Sequence, residues 1–227
     1  MRRSRRSPIA ERRLDPDRLT ALEATPSNVR PAFATLWNLD LAFADVVATT
    51  SEPALGAIRM AWWRERLEEL DSGKAAAAEP RLRAIQRQLV RRGISGLELS
   101  KLEDAWLPLL EPFPWEERAA EGLRMRGTLL FGIGARLLGG NAAEAQAAGA
   151  LWSLVDGASH CSDADSRAYL CQAARMWLQE VPTREPAALR PLTVLAALAA
   201  HDLRPGGRLG RVGVALAHRL RGTIPHG

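Results

Sequence analysis

Two arginines bracket a pair of adjacent tryptophans within residues 51–70, SEPALGAIRMAWWRERLEEL: Arg59, Trp62, Trp63 and Arg64. Adjacent helical positions point about 100° apart, so the two rings face different sectors. Arg59 and Arg64 border the apolar sector, where a guanidinium can snorkel or pair with a carboxylate or phosphate. A second group is Asp156, His160 and Asp163, spaced i, i+4, i+7. On an uninterrupted helix they would share one face. Asp156 with His160 would suit zinc, but two ligands are too few to make a site. Ser162 followed by Asp165 resembles a capping box, which predicts that a new helix begins there. Asp163 and Asp165 then read as first-turn acids facing the helix dipole. A third pair, Asp40 and Asp45, is five residues apart and does not share a face. Asp40 falls on the apolar stripe Leu36, Asp40, Phe43, Val47. There it would either face a cavity or cap a local network, and it reads as a satisfied polar residue ahead of a metal ligand, because one acid makes a poor magnesium site. No GxSxG, HExxH, P-loop or GxGxxG is present. The glycines of FGIGARLLGG sit in a helical pattern and read as helix-packing positions.

The elements that must position these groups read as helices throughout, with no strong alternation of period two and no tandem repeat. A helix is predicted from about Asn28 to Thr49, with Pro31 in its first turn. Ser51 is a suitable N-cap for the tryptophan helix, Pro53 fits its first turn, and DSGK ends it near Leu70. Within that helix Gly56, Met60, Trp63, Leu67 and Leu70 form a core stripe. Leu55, Ile58 and Trp62 form a second stripe, so the helix is predicted to pack on two neighbours. Gly56 would admit a close approach. Further helices are predicted over 80–92, 96–110, 115–138, 142–160, 163–179, 187–202 and 209–221. About nine helices with short connections indicate an all-α bundle or orthogonal array.

The 227 residues suit one domain with its own core. Alanine, leucine and arginine dominate, which favours helix over strand. Residues 1–18 carry seven arginines against three acids, nearly all of the net charge of +5. That segment reads as a basic, disordered tail suited to peripheral contact with an anionic surface, followed by a helical domain over 19–227. The remainder is about neutral, which argues against a nucleic-acid partner. Cys161 and Cys171 form no CxxC pair, as expected of a reduced, cytoplasmic protein, at most peripheral to the inner membrane face. No uninterrupted apolar run reaches the length of a membrane span.

The stretch from Val29 through Leu70, with Arg59, Trp62, Trp63 and Arg64 as an R-x-x-W-W-R signature, resembles the squalene/phytoene synthase family. The resemblance extends through residues 129–140, 147–170 and 189–203, though the tryptophan helix is its most specific part. It implies the all-α isoprenoid synthase fold. It also implies head-to-head condensation of farnesyl or geranylgeranyl diphosphate, with magnesium held by two aspartate-rich motifs on facing helices.

Here the family's metal positions fall on Ala44 and Ala48 in the first motif, and on His160 and Ala164 in the second. The chain thus resembles a divergent branch with degenerate motifs, similar to the one that contains a complex I assembly factor. That implies a non-catalytic protein that binds an isoprenoid or other lipid, or a protein partner. An active, Mg²⁺-dependent prenyltransferase would need displaced ligands among Asp40, Asp45, Asp156 and Asp163, with Arg59 and Arg64 reaching diphosphate. A helical adaptor with no small ligand is the third reading. Convergence of the acids across one cavity would favour the enzyme.

Overall fold

The computed structural model describes residues 14–73, 78–204 and 210–226. Among the described residues eleven α-helical segments follow in order: α1 (Pro16–Ala24), α2 (Arg30–Thr49), α3 (Pro53–Glu68), α4 (Pro80–Gln88), α5 (Gly96–Ser100) and α6 (Leu102–Trp106), then α7 (Glu117–Leu137), α8 (Gln146–His160), α9 (Ala164–Glu180), α10 (Arg190–Asp202) and α11 (Arg211–Arg221). Short 3-10 turns extend several of them. Among the described residues the only β pairing is a single bridge between Arg184 and Thr223. The chain is an all-α bundle.

Local chemistry sets many of the starts. Proline opens α1, α2, α3, α4 and α10, where its missing N–H costs no helical bond. Side-chain caps reinforce α1 and α4 and start α5 and α9: Asp15 accepts from the Arg18 amide, Glu79 from Leu82, Ser95 from Glu98 and Asp163 from Ser166. Two expected caps move by one residue. Glu52, not Ser51, precedes α3 and makes no side-chain cap bond. Asp163, not Ser162, caps α9 and also accepts the Ser166 hydroxyl at 2.6 Å. The span expected as one helix over 96–110 breaks into α5, α6 and a 3-10 turn at Leu107–Leu110. Its start is held from outside, because both Asp71 carboxylate oxygens accept the Gly96 and Leu97 amides at 2.7 and 2.9 Å.

Helix α2 runs through the core and buries Phe33, Leu36, Trp37, Leu39 and Phe43. By length and composition it alone among the described helices is apolar enough to cross a membrane, but most of it is buried inside the bundle. Helices α7, α8 and α9 pack in succession, α10 lies on α8, and α1 and α11 both lie on α10. Helix α1 begins inside the segment expected to be a disordered tail: residues 14–18 are ordered against the bundle. The arginines of residues 1–13 lie outside the described residues.

The tryptophan helix meets several neighbours, α5 above all and also α2 and α6, but it does so through one face. Gly56, Met60, Trp63, Leu67 and Leu70 are buried as their spacing predicts. A Cβ at Gly56 would stand 2.5 Å from Leu110, so the expected close approach occurs there. The second stripe is not covered: Leu55, Ile58 and Trp62 are 51%, 65% and 41% exposed. Trp62 instead sets its edge against Trp63, with ring centroids 5.2 Å apart.

Candidate functional site

Asp40 is fully buried at the middle of α2, and every acceptor position of its carboxylate is taken. Arg126 of α7 grips it with two parallel bonds, Nε to Oδ1 and Nη2 to Oδ2, both 2.7 Å. Trp106 of α6 donates its indole N–H to Oδ1 at 3.2 Å. Arg18 of α1 donates Nη2 to Oδ2 at 3.0 Å. A carboxylate offers about four lone-pair sites, and these four bonds fill them. Across the same guanidiniums lies Asp156 of α8, whose Oδ2 is 2.8 Å from Arg126 Nη1 and 3.4 Å from Arg18 Nη2. Two acids 116 residues apart in sequence therefore converge, with two arginines between them.

Three tryptophans wall this centre. The Arg126 guanidinium lies between Trp106 and Trp152, 4.7 and 4.8 Å from their ring centroids. Arg18 covers the same Trp152 at 4.9 Å and reaches Trp37 at 5.7 Å. A planar guanidinium stacked on an indole while holding a carboxylate in its fork is a geometry that lysine cannot reproduce. Burial alone would lower the pKa of Arg18, but Asp156, Asp40 and Asp15 outweigh it and hold the group above its ordinary value. Burial would likewise raise Asp156, yet Arg18, Arg126 and His160 hold its carboxyl far below the usual range. Arg18, Arg126 and Asp156 are therefore all held in their charged forms at neutral pH.

Backbone contacts make this possible. Helices α7 and α8 touch where Gly127 meets Gly149: a Cβ on Gly127 would lie 2.0 Å from the Gly149 carbonyl oxygen. That crossing brings Arg126 beside Ser153, whose hydroxyl accepts from Nη1 at 3.2 Å, one turn before Asp156. On α1, Asp15 caps the helix and its carboxylate also pairs with Nη1 of Arg18, aiming the side chain inward. Neither arginine was singled out from sequence, though a signal existed at one. Arg126 sits on the line Ala119, Gly122, Leu123, Arg126, Leu130, Ile133, a lone charge inside the apolar stripe of α7.

The other candidate residues lie elsewhere. Arg59 donates to the Thr49 and Thr50 hydroxyls at 3.0 and 2.7 Å, at the exposed end of α2. Arg64 pairs with Glu103 at 3.2 Å. The structure thus brings neither Arg59 nor Arg64 to the centre, and Arg18 and Arg126 stand there instead. Trp63 is buried against Phe43, and Trp62 is part of the exposed face of α3. Asp45 faces a groove between α2 and α4 lined by Thr35, Asn38 and Arg81. His160 is largely exposed, its Nδ1 2.8 Å from the Asp156 carbonyl oxygen and 3.7 Å from the Asp156 carboxylate. Asp163 is consumed by its capping role, and its bonds from Ser166 lower its pKa.

Magnesium does not fit between Asp40 and Asp156, because no lone pair of Asp40 is free to face it and the intervening space holds guanidinium groups. Zinc at Asp156 and His160 lacks a third ligand, since Asp163 belongs to the α9 cap. Among the described residues no three His, Cys, Asp or Glu side chains gather as a metal site. No family model matches the chain, and no curated protein or solved structure matches it either.

Proposed function

We propose that this chain is a non-catalytic member of the squalene/phytoene synthase type, working as an interaction or assembly factor. The observation that carries the reading is the saturation of Asp40 by Arg126, Arg18 and Trp106, opposite an Asp156 held by the same two arginines. In the family the resemblance points to, facing acids hold magnesium against a leaving diphosphate. Here the positive charge between the facing acids is built into the chain. Guanidinium groups neutralise the carboxylates permanently and bolt α1, α2, α7 and α8 together. The acids then serve the architecture, and function passes to surfaces. The exposed edge of α3, with Leu55, Ile58 and Trp62, is one surface available to a protein partner.

The test is diphosphate release from farnesyl and geranylgeranyl diphosphate by the purified full chain, with and without magnesium, alongside thermal unfolding in the same buffers. The expected result is a folded protein with no magnesium-dependent release and no magnesium-dependent rise in Tm. Magnesium-dependent turnover that Asp156→Asn abolishes would overturn the proposal and restore an enzyme with displaced ligands.

A further inference from the structure

We infer that α11 is an interfacial helix that docks on an anionic lipid surface. The helix packs on α10 and leaves Val212, Leu216 and Leu220 turned to solvent, 86%, 57% and 66% exposed. Their i, i+4, i+8 spacing makes one continuous apolar line along the helix. Three large apolar side chains in register on one open edge are far more than scattered surface hydrophobics.

The charge around that line selects the occupant. From 203 to the end of the chain there are five arginines and no acid. Arg211 is held by Asp17 and Asp202. Arg219 and Arg221 are exposed beside the apolar line and form no ion pair among the described residues. An apolar stripe flanked by arginine is the arrangement in which side chains enter the acyl boundary while guanidiniums reach phosphate headgroups. A second copy of this face would set arginine against arginine, which disfavours self-association there. The stripe also borders a groove between α1, α10 and α11, lined by Ala24, Pro191, Val194 and Ala215, with Glu23 the one acid in its wall. This inference is independent of the reading of the buried ion-pair centre.

The experiment is co-sedimentation of the full chain with vesicles of phosphatidylcholine alone and of phosphatidylcholine mixed with phosphatidylglycerol, at low and high salt. Binding is expected only to the mixed vesicles and should weaken as salt rises. Leu216→Ser with Leu220→Ser should reduce partitioning by about tenfold or more. Arg219→Gln with Arg221→Gln should reduce it by about thirtyfold, since each basic group near an anionic surface contributes about fivefold. All four side chains are exposed, so unchanged thermal unfolding is expected and separates lost docking from lost folding. Two results would overturn the proposal: no binding to mixed vesicles, or binding that neither pair of substitutions weakens because the N-terminal arginines supply it.

Discussion

Removing Arg126 is the sharpest test of the buried centre. Around it stand two guanidiniums, Arg18 and Arg126, and three carboxylates, Asp15, Asp40 and Asp156, so the local charge is −1. Arg126→Met keeps much of the side-chain volume between Trp106 and Trp152 but leaves a local charge of −2. Asp40 then keeps only the Arg18 bond at 3.0 Å and the indole bond at 3.2 Å. Breaking a buried pair by deleting one partner costs about 3–5 kcal/mol, because the surviving charge stays out of water. For a chain of this size each kcal/mol moves Tm by about 2–4 °C, so a fall of about 6–20 °C is expected. The decisive variant is Arg126→Met with Asp40→Leu. It removes the bidentate pair whole, leaving Arg18 with Asp15 and Asp156, and should recover at least about 2 kcal/mol of the loss. Urea unfolding of the wild type, both single variants and the double variant closes the cycle. A single variant with an unchanged midpoint, or a double variant no better than the sum of its parts, would refute the argument.

Gly127→Ala is expected to destabilise by about 3 kcal/mol or prevent folding, since its Cβ would meet the Gly149 carbonyl oxygen; chemical unfolding measures it. Trp63→Ala should cost about 3–5 kcal/mol, whereas Trp62→Ala, on the open face, should cost less than about 1 kcal/mol, and equal midpoints would contradict the one-sided packing of α3. Glu185 is 1% exposed, neither of its carboxylate oxygens has a hydrogen-bond partner among the described residues, and burial together with Glu144 pushes its pKa up to about 7. Its ordinary value is 4.5, so the folded state holds the proton more tightly. Its contribution to stability is full below about pH 4.5 and is lost as pH rises through about 7. Glu185→Gln should therefore stabilise at pH 8 by up to about 3 kcal/mol and do little at pH 4, read from Tm across pH. Asp156 acts in the opposite sense. Its depressed pKa contributes stability above its ordinary value of 3.8 that is lost as pH falls below it, so Asp156→Asn should flatten the acid limb of the same profile.

Local rules of the sequence determined the fold class and most helix positions, because proline, capping side chains and the 3.6-residue apolar period act over a few residues. The core stripe of α3 and the C-terminal ends of α2 and α10 were legible this way. Asp40, an acid on an apolar stripe, was legible as a residue needing partners. Who the partners are was not, since they lie 22, 66 and 86 residues away. The exposure of Leu55, Ile58 and Trp62 was equally hidden, because the period of a stripe does not state whether any neighbour covers it. The same holds for Arg18, read as part of a tail until α1 lays it against Trp152. Periodicity states which face of a helix is apolar. Only the crossing of α7 on α8 at Gly127 and Gly149, with α1 laid over α10, places two arginines between two distant acids.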